Sequence, residues 1–133
     1  MSTLQLEVVT PDRKVVSEAV EMVICPGLVG EFGVLPNHVS MLSALKTGDL
    51  RYRVNGKDEH VFISGGFADM NDNVLSVLAE SAELAADIDT ARANAARSRA
   101  EKRLADKSEQ VDEARANAAL QRAIMRLRIA GSA

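Results

Sequence analysis

The sequence predicts a β + α chain: an N-terminal antiparallel β-sandwich or flattened barrel over residues 1–84, then a C-terminal antiparallel two-helix hairpin over residues 85–133. Three observations predict it. Before residue 85, apolar residues mostly recur at every second position, among many β-branched residues punctuated by Gly and Pro. From Ala85 onward, 15 of 49 residues are Ala and no Pro occurs, and no Gly stands between Gly66 and Gly131. The period changes from 2 to 3.6 inside Glu83–Arg99, E-L-A-A-D-I-D-T-A-R-A-N-A-A-R-S-R, so the two bodies join at Glu83–Asp89.

In chain order, Leu4, Leu6 and Val8 alternate with Gln5, Glu7 and Val9, a strand that stops at Thr10-Pro11-Asp12. Lys14–Ala19 and Val20–Cys25 read as the next two strands. Pro26-Gly27 then opens P-G-L-V-G-E-F-G-V-L-P-N-H, whose density of backbone punctuators predicts a shaped loop presenting Glu31 and Phe32. Val39–Leu45 and Gly48–Val54 are strands again, the second with Leu50, Tyr52 and Val54 on one face. Asn55-Gly56 fits a type I′ hairpin turn because both residues tolerate positive φ. Its partner strand is His60–Ser64. Gly65-Gly66 marks a bulge or a close approach of backbone to backbone. Asp72-Asn73 turns the chain into a buried strand, Val74–Ala79. Eight or more short strands at this spacing argue for the sandwich or barrel.

In the tail, Asp87 or Asp89 can cap a helix running from about residue 89 to Asp106. Lys107-Ser108-Glu109 interrupts the pattern, and Ser108 can cap a second helix, about 109–129, with Glu109 and Asp112 in its first turn. Neither helix carries an internal break, so one long helix over the same residues is left open. On a helical projection Arg92, Arg99 and Arg103 form one stripe, and Arg115, Arg122 and Arg126 repeat its spacing. Ala93, Ala96, Ala100 and Leu104 lie beside the first stripe. The second helix is apolar on both sides of its stripe, with Val111, Ala114, Ala118 and Met125 on one and Ala116, Leu120, Ala123, Ile124 and Leu127 on the other. One side can pack on the partner helix, and the other is spare. Burying an Ala methyl contributes under ~1 kcal/mol, while Ala has the highest helix propensity. Such helices dock weakly yet persist undocked, which suits a hinged element.

Composition narrows the function. Aromatic residues are 3% with no Trp, so the core is built from Val, Leu, Ile, Met and Ala. A single cysteine, Cys25, rules out an intramolecular disulfide and reads as a small buried hydrophobe. No run approaches the ~20 apolar residues of a membrane span, and M-S-T-L-Q-L-E is unlike a signal peptide. The expectation is a soluble chain on the cytoplasmic side. Residues 1–84 carry six Lys/Arg against twelve Asp/Glu, and residues 85–133 carry ten against seven. An acidic body with a basic tail predicts a tail that meets an acidic or anionic partner, at a charge far short of a nucleic-acid-binding domain.

No phosphate-binding loop, dinucleotide fingerprint or H-E-x-x-H occurs. His38 and His60 stand in separate segments with no Cys nearby, so neither a metal site nor catalysis is indicated. The two Arg stripes are the exception. Guanidinium groups facing one another repel unless an anion or carboxylates sit between them, and a polyphosphate suits because Arg bonds phosphate bidentately. Glu83 and Asp89 can accept from an adenine or orient the arginines. The plain alternative is arginines on solvated faces, with Glu101 and Asp106 nearby.

Four segments in register, G-E-F-G-V-L-P-N-H, S-G-G-F-A-D, V-L-S-V-L-A-E and I-D-T-A-R-A, resemble the epsilon subunit of bacterial F-type ATP synthases over essentially the whole chain. That family usually has Gly where Asn37 stands and Pro where Ser40 stands; Asn is the best non-Gly choice for left-handed backbone, so the loop shape should survive. The resemblance implies a non-catalytic rotor subunit, peripheral on the cytoplasmic face of the bacterial inner membrane. It implies a β-body on the gamma subunit and the c-subunit ring, with the ring-facing loop at Gly30–His38, including Glu31, Phe32 and His38, and Glu31 at the tip. It also implies a hairpin that lies folded on the body or extends to the catalytic alpha/beta subunits and inhibits ATP hydrolysis. Arg115, Arg122 and Arg126 would then contact beta. Some members bind ATP in the folded hairpin as a regulatory ligand through I-D-x-x-R-A, here Ile88, Asp89, Arg92 and Ala93. Glu83, Arg99, Arg122 and Arg126 match the remaining ligands. No cofactor is required. Two other readings compete: a free-standing ATP-sensing hairpin module, and an adaptor with a helical docking arm.

Overall fold

The computed structural model describes residues 2–106 and 112–131. Ten strands come first: β1 (Leu4–Val9), β2 (Lys14–Val20), β3 (Met22–Gly27), β4 (Gly30–Val34), β5 (Met41–Ala44), β6 (Gly48–Val54), β7 (Lys57–Ser64), β8 (Phe67–Asn71), β9 (Val74–Leu78) and β10 (Ser81–Leu84). A short 3-10 turn at Ala85–Asp87 leads into α1 (Thr90–Ala105) and α2 (Glu113–Ala130).

The strands form two five-stranded sheets, ordered β2-β1-β9-β8-β5 and β10-β7-β6-β3-β4. Their inner faces meet in a core that includes Leu4, Leu6, Val8, Leu50, Val61, Ile63, Met70 and Leu75, all buried. Cys25 lies in this core, and burial pushes its thiol up to about 12. A thiol held protonated is a packing residue, as expected.

The turn residues behave as their chemistry dictates. Asn55 and Gly56 have φ of 52° and 76°, and Asp72 and Asn73 have 51° and 61°, the paired positive φ that two-residue hairpins need. Asn37 takes φ 64°, and its N–H donates to Asn73 Oδ1 at 2.8 Å. Gly66, at φ 115°, is where the chain runs against the next strand: a Cβ there would collide with the Leu78 carbonyl.

Several expectations need correction. β1 pairs β9 in parallel while every other strand pair is antiparallel. Alternation along a strand is blind to partner direction. Val20 ends β2, and the break falls at Glu21. Val39–Leu45 shortens to Met41–Ala44, and β8, whose buried Ala68 and Met70 follow an exposed Phe67, and the four-residue β10 were not expected. The segment after Cys25 is a hairpin, with Pro26 paired to Glu31 and Cys25 to Phe32. Proline fits inside β3 because β6 pairs only with Met22, Val23 and Ile24, so no second neighbour asks for its missing N–H. The exposed tip is therefore Leu28-Val29, and Glu31 stands within β4, 3.6 Å from the Arg51 guanidinium. Phe32 is half-buried against the core instead of presented.

The tail forms two helices, not one. Asp89 caps α1 by accepting from the Arg92 N–H at 3.0 Å, and Asp112 caps α2 in the same way from Arg115 at 3.0 Å. Asp112 is thus a cap and not a first-turn residue; Ser108, Glu109 and Val111 lie outside the described residues. Ala93 and Ala100 on α1 and Ala116 and Ala123 on α2 are buried, so methyl groups seven residues apart let the two backbones approach. Beyond the hairpin's own seam, α2 lies on the outer face of the second sheet. There Ile129 packs with Phe62 and Ile88, flanked by Met125 and Ala130. Both faces of β7 are consequently covered, which explains its unbroken buried run Val61–Ser64.

Candidate functional site

The fold brings the two Arg stripes to two adjoining cavities. The larger, about 660 Å³, sits where α1, α2 and the β-body meet, lined by Asp12, Arg13, Ser81, Glu83, Asp87, Asp89, Arg92, Ala93, Ala96, Arg99 and Arg126. The smaller, about 260 Å³, runs between the helices past Arg99, Arg103, Arg115, Arg122 and Arg126. Ala96, Arg99 and Arg126 line both. The larger volume is in the range of small-molecule pockets, ~300–1,000 Å³.

Each lining residue has a structural reason for its place. Ser81 and Glu83 are two apart on β10 and share a face. Glu83 stands opposite Phe62 on β7, the residue that receives α2. Arg126 reaches down from α2 and donates from Nε to Glu83 Oε1 at 2.8 Å and from Nη2 to Ser81 Oγ at 3.4 Å. Its guanidinium carbon lies 4.3 Å from the Phe62 ring centre. Asp89 holds the start of α1, which directs Arg92 and then, two turns on, Arg99 along the cavity wall.

Charge is unbalanced in the smaller cavity, which has five arginines and no carboxylate in its lining, whereas the larger sets four arginines against four carboxylates. Among the described residues, the guanidinium groups of Arg13, Arg92, Arg99, Arg103, Arg115 and Arg122 make no hydrogen bond, ion pair or ring contact. Exposed ion pairs do form elsewhere, such as Arg97–Glu101 at 3.5 Å and Arg53–Asp58 at 2.9 Å. All six of these arginines line the cavities, beside Arg126, which is paired. They present many N–H donors to an anion, while Asp12, Glu83, Asp87 and Asp89 in the larger cavity's lining offer acceptors to an amino group.

Of the residues read from sequence, Glu83, Asp89, Arg92, Ala93, Arg99 and Arg126 converge on the larger cavity, and Arg122 and Arg115 on the smaller. Ile88 lines neither; it is buried with Phe62 and Ile129 and pins the turn before α1. Glu31, Phe32 and His38 belong to a separate region, and His38 Nδ1 lies 2.8 Å from its neighbour's carbonyl, Val39 O. Sequence reasoning missed Asp12, Arg13, Ser81 and Phe62. Ser81 is i−2 from Glu83 on β10, a strand that the sequence did not reveal. Nothing local marks Asp12 or Arg13.

No cluster of three or more potential metal ligands occurs among the described residues. His60 pairs instead with Asp49, 2.8 Å away. No described helix is long and apolar enough to cross a membrane.

Comparison with known proteins follows the same division. A family model described as the beta-sandwich domain of the ATP synthase Delta/Epsilon chain matches residues 3–85, and one described as its long alpha-helix domain matches residues 86–131. The ATP synthase epsilon chain of Nitratidesulfovibrio vulgaris (strain DP4) is 60% identical over 131 residues, covering 98% of each chain. That of Syntrophobacter fumaroxidans is 50% identical over 127 residues, covering 96% of this chain and 95% of the relative. A chain of the Euglena gracilis mitochondrial ATP synthase assembly of OSCP, F1 and c-ring superposes with a TM-score of 0.77 at 27% identity, covering 91% of this chain and 77% of that one.

Proposed function

The chain belongs to the ATP synthase delta/epsilon chain family, as an epsilon-type, non-catalytic central-stalk subunit, and on that premise we propose that its hairpin is an ATP-held brake. In this reading the β-body binds the gamma subunit and the c-subunit ring at the cytoplasmic face of the bacterial inner membrane, through the β3–β4 hairpin and the segment to His38. The hairpin regulates. Docked on the body it leaves ATP hydrolysis free. Extended, its second helix meets the catalytic alpha/beta subunits through Arg115, Arg122 and Arg126 and inhibits hydrolysis. ATP in the larger cavity favours the docked position, because the site exists only when α1, α2 and β10 are together.

One observation supports this most: arginines from both helices, without partners among the described residues, line two adjoining cavities at the junction that must open for α2 to leave. The polyphosphate would lie along Arg92, Arg99, Arg122 and Arg126, with Glu83 and Asp89 near the base. The stabilisation is bounded by linkage, ~2.7 kcal/mol at a hundredfold excess of ATP over its dissociation constant.

The test is calorimetric titration of the full chain with ATP beside Arg92→Ala and Arg126→Ala. Binding that both substitutions abolish supports the nucleotide site. Absence of heat with the wild-type chain removes it and returns the arginines to contacts with the beta subunit. Co-purification with gamma tests the stalk placement separately, since a free-standing ATP sensor would bind nucleotide without that partner.

A further inference from the structure

The larger cavity is not walled by the hairpin alone. Part of its rim is the β1–β2 turn, which contributes Asp12 and Arg13. Thr10 holds this turn rigidly: its backbone N–H donates to the Arg13 carbonyl at 2.9 Å, and its hydroxyl accepts from the Asp12 and Arg13 N–H groups, each at 3.3 Å. The next residue, Lys14, leads the other way and pairs with Glu7 at 3.3 Å. Two adjacent cations thus have different fates. Lys14 is neutralised on the sheet, while the Arg13 guanidinium has no partner among the described residues and stands at the cavity.

We propose that Arg13 is an anion-binding residue of the same site, a guanidinium supplied by the β-body to the polyphosphate that the helices hold. This rests on the nucleotide reading above and assigns it a coupling element. A ligand held only by Arg92, Arg99 and Arg122 would clamp the two helices to each other whether or not the hairpin lay on the body. A ligand also held by Arg13 binds the docked arrangement better than the undocked one, and only such differential affinity shifts an equilibrium. The contact from the turn therefore adds to the preference for docking that Glu83 on β10 already gives a ligand in this cavity. Because the turn's backbone bonds come from Thr10, truncating the exposed Arg13 side chain leaves the turn intact.

The experiment is ATP titration of the full chain by calorimetry, with Arg13→Ala, Arg13→Lys and Arg97→Ala. Arg97 also carries one charge on α1, but it pairs with Glu101 and lines neither cavity, so it controls for the general field. Losing one charge-assisted contact predicts about five- to tenfold weaker ATP binding for Arg13→Ala. Arg13→Lys should lose less, and Arg97→Ala should stay within about twofold. A second reading, amide exchange of α2 at saturating ATP, should show less protection in Arg13→Ala than in the wild type. If Arg13→Ala binds as the wild type does while Arg92→Ala does not, the role of Arg13 is overturned and the nucleotide site stands. Equal losses in Arg13→Ala and Arg97→Ala also overturn it, as an effect of net charge. A wild-type chain that binds no ATP removes both.

Discussion

Arg126 Nε–H donates to Glu83 Oε1 at 2.8 Å and, with the Nη2 bond to Ser81 Oγ at 3.4 Å, ties the second helix to the last strand of the β-body. The Arg126 and Glu83 side chains are 25% and 27% exposed, buried enough for the pair to exceed an ordinary surface ion pair. Phe62 underneath adds a cation–π contact.

Docking of the hairpin should therefore depend on Arg126 even without nucleotide. Arg126→Ala is expected to weaken docking by about 1–2 kcal/mol. Ile129→Ala, which empties the apolar seat on Phe62 and Ile88, should weaken it by about 2 kcal/mol or more. Hydrogen exchange checks this: α2 amides should exchange faster in both variants, while β7 and β1 keep their protection.

Arg99 lines both cavities and Arg103 only the one between the helices. If a polyphosphate spans from the body to the inter-helix space, Arg99→Ala should weaken ATP binding about tenfold and Arg103→Ala less. Titration of both variants ranks them, and the reverse order would place the phosphates between the helices instead.

Gly66 should be the least replaceable of the turn glycines. Gly56, at φ 76°, has nothing within 4 Å of where a side-chain methyl would stand, so Gly56→Ala costs only left-handed strain, ~1–2 kcal/mol. At Gly66 the same strain, at φ 115°, is joined by collision with the Leu78 carbonyl. Gly66→Ala should cost more than Gly56→Ala, at least about 2 kcal/mol in urea unfolding.

The Glu7 carboxyl is held below the ordinary 4.5, first by the Gln5 amide hydrogen bond, then by Ser17 and Lys14. A depressed carboxyl contributes stability above its unfolded value and loses it as pH falls through its folded value. Glu7→Gln should thus be less stable than the wild type at neutral pH, with the gap closing at an acid pH below the carboxyl's folded value. Urea unfolding at the two pH values checks the sign.

Much of this chain was legible because its signals are local. Asn55-Gly56 and Asp72-Asn73 announce their turns through backbone preference alone, and the loss of Gly and Pro after Gly66 announces the helices. The spacing of Arg92 and Arg99 put them on one helical stripe before any partner was known. By contrast Pro26-Gly27 looked like a strand end, since a proline's tolerance depends on which neighbour strand is missing. Ser81 and Glu83 fell in a strand of four residues, too short to show alternation.

By itself the sequence determined the two-part architecture, an acidic start to the first helix at Asp87 or Asp89, and the arginine stripes, because period, capping and turn chemistry act within a few residues. Only the tertiary structure decided that β1 runs parallel to β9, that Arg126 lands on Glu83 and Phe62, and that Arg13, far ahead of Asp89 in chain order, faces the same cavity. Those relations are set by which apolar faces must cover one another. Phe62 and Ile129 are brought together by burial, and the charged groups beside them follow.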